Sequence, residues 1–116
     1  MVSGIGGGLR DKTAGKVIPV VLRRNATSIP NPVHCSRSAG DRIEWQSPDC
    51  VNEISFDDNS PSPFGGPGDD YIVLKGSTMQ TNPVRPNTVA KNYDYDILSD
   101  NGAGGVTGSG TVIVDP

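Results

Sequence analysis

Apolar residues along this chain recur mainly at every second position. Ile43 and Trp45 alternate with Arg42, Glu44 and Gln46. Ile54 and Phe56 alternate with Glu53 and Ser55, and Asn52 falls in line on the apolar side. Tyr93, Tyr95 and Ile97 alternate with Asp94, Asp96 and Leu98. A period of two belongs to a strand with one buried face and one wet face. Shorter apolar, β-branched runs within 16–23, 33–37, 71–75 and 110–116 predict further strands. Pro19 cannot donate to a ladder, so the first strand has a free side or lies at an edge. The segment 29–33 is held extended by Pro30 and Pro32. Ala39-Gly40-Asp41 is a tight turn, and Ser47-Pro48-Asp49 ends a strand. Residues 57–70 form a long loop, 76–91 a second, polar crossing loop, and 101–110 a Gly-rich connection between the last two strands. The pattern predicts about seven or eight short strands in an all-β, antiparallel-rich sandwich.

Composition agrees with that pattern. The 116 residues include 15 Gly and 10 Pro, too much punctuation for long helices. The length is that of one domain, here 16–116, preceded by a flexible Gly-rich tail over 1–15. Trp45, Phe56, Phe64, Tyr71, Tyr93 and Tyr95 are the aromatic residues, and each can bury about 150–250 Å². Trp45, Tyr93 and Tyr95 read as core because they share a face with apolar neighbours. A net charge of −3 and a pI near 4.9 argue against nucleic acid as a partner. No apolar run is long enough to cross a bilayer as a helix, so the chain does not read as an integral membrane protein. Asn25-Ala26-Thr27 matches a glycosylation acceptor but reads as an ordinary turn.

The two cysteines, Cys35 and Cys50, leave two readings open. They form one disulfide, which would favour an extracytoplasmic compartment, or they are two buried thiols. A zinc site is excluded by the lack of a CxxC pair and by the single histidine, His34. His34 and Cys35 are neighbours on one strand and point to opposite faces, which also rules them out as a catalytic pair. There is no nucleophile elbow, and the Gly-rich loop opens no helix that could cradle a phosphate. The chain therefore reads as non-enzymatic.

Gly40-Asp41-Arg42-Ile43-Glu44-Trp45 resembles the Gly-Asp-x-Val-x-Trp segment of cupredoxins. Tyr93-x-Tyr95-x-Ile97 is similar to their Tyr-x-Tyr-x-Cys strand, and Gly110-x-Val112-x-Val114 to their closing strand. Taken over 16–115, the resemblance implies a cupredoxin-like Greek-key β-sandwich. It also resembles uncharacterised members with a Ser-Pro-Phe loop, here Ser62-Pro63-Phe64, and an Asp-Pro-type tail. The same resemblance would place a copper-binding His between Val51 and Ile54, the Cys on Ile97, a second His on Asp100 and the axial Met near Gly108. None of those residues supplies the soft ligand expected there, so the resemblance implies the scaffold without type 1 copper.

Three functions follow as expectations. The first is an accessory or binding module for a protein or small ligand, without a cofactor, that works through the loops 57–70 and 101–110. The second is a calcium-stabilised extracellular β module using Asp57, Asp58, Asp69 and Asp70. One calcium-binding nonapeptide match over 65–73 accompanies it, but such repeats work in tandem. The third is an atypical metal or redox protein using Cys35, Cys50 and His34. Phe64 lies in the polar loop, where it either plugs the end of the sandwich or forms an exposed interaction site.

Overall fold

The alternating segments form strands close to their predicted bounds in the computed structural model, which describes residues 15–23, 27–57, 62–64, 70–100 and 105–116, Asp70 by its backbone alone. In chain order the strands are β1 (Val17–Val21), β2 (Val33–Ser36), β3 (Arg42–Ser47), β4 (Asn52–Phe56), β5 (Asp70–Val73), β6 (Ser77–Gln80), β7 (Asn92–Ser99) and β8 (Gly108–Asp115). They make two mixed sheets, one of three strands in the order β1-β3-β6 and one of five in the order β2-β8-β7-β4-β5. The β1–β3 and β2–β8 pairs are parallel; the other four pairings are antiparallel. Pro19 lies on the edge strand β1, where its missing N–H costs no ladder bond.

β6 was expected to be loop. It is a strand of four residues, all of them exposed, at the edge of the smaller sheet. An edge strand that buries neither face has no reason to alternate, so periodicity does not reveal it. Pairing with β3, from Glu44↔Gln80 to Ser47↔Ser77, holds it in place.

The two sheets bury one shared core. Val20, Ile43 and Trp45 come from the smaller sheet; Ile54, Phe56, Val73, Tyr93, Tyr95, Ile97, Val112 and Val114 come from the larger. Tyr95 lies at the centre, edge-on to Trp45 with ring centroids 5.3 Å apart, and tilted against Phe56 at 5.4 Å. Its hydroxyl meets Ser28 Oγ at 2.5 Å. A Cβ on Gly110 would collide with that hydroxyl, so glycine is what lets β8 lie beside Tyr95. Trp45 Nε1 is the one buried side-chain polar atom without a hydrogen-bond partner among the described residues.

Asp41 explains the Gly-Asp turn before β3. Its buried carboxylate accepts the backbone N–H of Lys16 and that of Ser36, each at 2.8 Å. Gly40 precedes it at φ 73°, a conformation that costs glycine little. A Cβ on Gly15 would overlap the Gly40 carbonyl, so the chain packs closely where it enters β1; residues 1–14 of the expected tail lie outside the described residues. The backbone carbonyl of Asp41 accepts the N–H of Val84 at 2.9 Å. One aspartate thus ties together β1, β2, β3 and the start of the 81–91 loop.

The disulfide expectation is corrected. Cys35 and Cys50 are both free and buried. Cys35 sits on β2, and Cys50 just precedes β4, which is three strand spacings away in the same sheet. At roughly 4.8 Å per spacing the separation is about twice what a disulfide spans. Burial, with the nearby carboxylates of Asp41 and Asp115 adding to it, pushes the Cys35 thiol up to about 12, which keeps it protonated and inert at neutral pH.

Candidate functional sites at the two ends

One end of the molecule is closed by a hydrogen-bonded polar cluster. The end of β3, the start of β4, the end of β7 and the approach to β8 meet there, because Asn52 pairs with Ser99 and Ile97 with Gly108. Asn52 is fully buried and in line with Ile54 and Phe56. Its Nδ2 donates to Ser47 Oγ at 3.0 Å and to the Cys50 carbonyl at 3.3 Å, and its Oδ1 accepts from Ser99 Oγ at 2.8 Å. Ser99 Oγ is also 2.9 Å from Thr107 Oγ1, which bonds the Ile97 carbonyl at 3.2 Å. Each buried polar side chain of the cluster has a partner, as burial demands.

The positions where the cupredoxin resemblance would put copper ligands fall at this end. Ile54 is opposite Ile97, and Ile97 opposite Gly108. Asp100 follows β7 with φ 56° and is exposed. Alkyl groups, a glycine and a spent amide occupy positions where copper would need imidazole, thiolate and thioether.

The opposite end is open. The 62–64 turn, the 81–91 loop and the start of β7 enclose a groove of about 290 Å³, lined by Ser62, Pro63, Arg85, Thr88, Lys91 and Tyr93 among others. Buried Val84 anchors the loop, and hydrogen bonds pin the carbonyls of Arg85, Thr88, Val89 and Lys91 and the amide of Thr88. Thr88 N–H donates to the Arg85 carbonyl at 3.0 Å, and Lys91 O accepts from Val114 N–H at 2.9 Å. Arg37 donates to the Thr88 carbonyl at 2.8 Å, and the Tyr93 hydroxyl donates to the Val89 carbonyl at 2.7 Å. The backbone is thereby fixed while the side chains of Arg85, Asn87, Val89 and Lys91 stay exposed. Lys91 Nζ stands 5.1 Å from the centre of the Tyr93 ring, a cation–π distance.

A second groove, of about 390 Å³, runs along the outer face of the larger sheet between Ser55, Asp57, Asp94 and Asp96. Asp94 Oδ1 accepts the Thr111 hydroxyl at 2.8 Å. Among the described residues no three His, Cys, Asp or Glu side chains are grouped so as to hold a metal ion. Of the aspartates proposed for calcium, Asp57 is exposed at the end of β4. Asp58 and Asp69 lie outside the described residues, as do Gly65, Gly66 and Gly68 of the nonapeptide. Asp70 is known only through its backbone pairing with Ser55.

The remaining candidates are not brought together. His34 is on the outer face, its Nδ1 3.0 Å from Asp115 Oδ2, while Cys35 faces the core and Cys50 lies at the closed end. Phe64 is fully buried, edge-on to Phe56 at 6.5 Å. It plugs the open end and is not an exposed interaction residue. Of the 101–110 loop, 101–104 lie outside the described residues, and Thr107 serves the closed end. The sequence reading passed over Arg85 and Lys91. The signal was available: Lys75, Arg85 and Lys91 are the only cations after Arg42, and two of them line one groove. No protein-family model matches the chain, and no curated protein is significantly similar to it.

Proposed function

We propose that this chain is a non-enzymatic binding module on a cupredoxin-like Greek-key scaffold that carries no type 1 copper. The strand order supports the scaffold. The chain passes between sheets at β1→β2, β2→β3, β3→β4, β5→β6 and β6→β7, and it closes with the β7–β8 pair at the centre of the larger sheet. The carrying observation for function is the chemistry of the closed end. Asn52 spends its amide on Ser47, Cys50 and Ser99, and Ile97 fills the position of the thiolate with a buried alkyl group. Among the described residues the soft donor at that end is Cys50, whose sulfur is 3.9 Å from Asn52 Oδ1. Binding is then left to the loops of the other end, where exposed side chains stand on a fixed backbone.

The test is native mass spectrometry of the full chain after loading with copper and, separately, with calcium, followed by buffer exchange. The expected result is a metal-free mass and an unchanged melting temperature with either ion, since a ligand bound only by the native state must raise it. A stoichiometric copper adduct with thiolate–copper absorption, or a calcium-dependent rise in melting temperature, would overturn this reading.

A further inference from the structure

We propose that the groove between the 62–64 turn and the 81–91 loop binds the anionic group of a small ligand, a carboxylate or a phosphate, clamped between Arg85 and Lys91. The inference rests on the binding-module reading and names the chemistry of its ligand.

Three observations converge. The first is charge without a counter-charge. In a chain of net charge −3, no carboxylate pairs with Arg85 or Lys91 among the described residues. Among the described residues Arg23 is bonded to Asp49 at 2.8 Å while Lys75 too stands without an ion pair, so what sets Arg85 and Lys91 apart is that both line one groove. Arg85 presents a planar fork suited to two oxygens of one oxyanion, and Lys91 supplies a compact point charge. The second is preorganisation. The loop bearing both cations is tied down by Arg37, Asp41, Tyr93 and Val114, so little backbone freedom remains to be lost on binding. The third is shape. The groove is small and open at about 290 Å³, which suits an anionic head and a short body. Exposed Val89 gives an apolar wall, Asn87 a neutral amide, and Tyr93 a ring that steadies Lys91.

The experiment is an amide NMR titration of the full chain with inorganic phosphate, with glucuronate and with neutral glucose, at fixed ionic strength. Saturable shifts are expected for the backbone amides of 62, 64, 85 and 87–91 with an anion and not with glucose. The anion that saturates first identifies a phosphate or a carboxylate source. Arg85→Gln and Lys91→Gln should each weaken binding roughly tenfold or more, as loss of a charge-assisted contact does, whereas Lys75→Gln should leave it unchanged. Shifts that do not saturate, or that survive both substitutions, would overturn the proposal. Shifts of the same amides that depend on protein concentration without ligand would also overturn it, assigning the groove to a second copy of the chain. The binding-module reading fails separately, through the metal adducts described above, so the two failures are distinguishable.

Discussion

The two ends of this molecule carry polar residues of similar type and use them in opposite ways. At the closed end Asn52, Ser47, Ser99 and Thr107 bond to one another and to backbone. At the open end Asn87, Arg85 and Lys91 face water on a loop whose backbone bonds are already made. The difference lies in where hydrogen-bonding capacity is spent. A buried amide without partners costs a few kcal/mol, so the fold must satisfy it internally. An exposed one is satisfied by water and can exchange water for a ligand. Polar residues at the first end therefore belong to stability, and those at the second stay available to exchange water for a ligand.

The largest effect expected from this contrast is alkaline unfolding. The core between the two ends keeps water from two acidic protons. Burial lifts Tyr95 from 10.0 to about 12, with the Ser28 hydrogen bond pulling slightly the other way. Burial, then Asp41 and Asp115, lifts Cys35 from 9.0 to about 12. A raised folded-state pKa gives stability that is complete below the unfolded value and lost as pH climbs to the folded one. The unfolded chain releases these protons first, so stability should fall between pH 9 and pH 12. At about 1.4 kcal/mol per unit of difference, the loss amounts to several kcal/mol, a large part of a typical domain's stability. Melting temperature followed against pH checks this. Cys35→Ala should move the onset upward toward the tyrosine range, and a flat profile to pH 12 would refute the dry interior.

Next in size is Asn52→Leu, expected to destabilise by about 2–4 kcal/mol, because Ser47 loses a donor and Ser99 an acceptor in a buried setting. The same change at exposed Asn87 should stay within about 0.5 kcal/mol. Urea unfolding of the two variants gives the comparison directly. Equal losses would erase the distinction between the ends.

How much of this was legible in the sequence follows the same physics. β3, β4 and β7 were legible because each has one dry face, and alternation records it: Ile43 and Trp45, Ile54 and Phe56, Tyr93 through Ile97. Asn52 was visible as a polar residue on a dry face, but its partners were not. Ser47 and Ser99 come to it only through a strand end and the Asn52↔Ser99 register, which no local pattern encodes. β6 was illegible because both its faces are wet. A spacing of fifteen residues left a Cys35–Cys50 bridge open, and the strand order closed it by putting β8 and β7 between them. Arg85 and Lys91 lie in a polar, Pro-containing loop with no local pattern to single them out. Their convergence depends on buried Val84 and on bonds from Arg37, Asp41 and Val114 that lie far off in sequence.

The smallest expected effect on stability tests the comparison most closely. If the open end serves recognition, Arg85→Gln should change the urea midpoint by less than about 0.5 kcal/mol equivalent, because its guanidinium closes no ion pair among the described residues. Lys91→Gln removes an exposed cation–π contact with Tyr93 and should cost about 0.5–1 kcal/mol at most. The m-value should stay constant in both, since neither change alters the surface exposed on unfolding. These small costs are to be set against the roughly tenfold weakening of anion binding expected of the same variants. A residue held for structure loses stability when truncated, and a residue held for a ligand loses affinity instead. If Arg85→Gln unfolds the chain as readily as Asn52→Leu does, the cations of the open end are structural. The two ends would then differ in exposure alone.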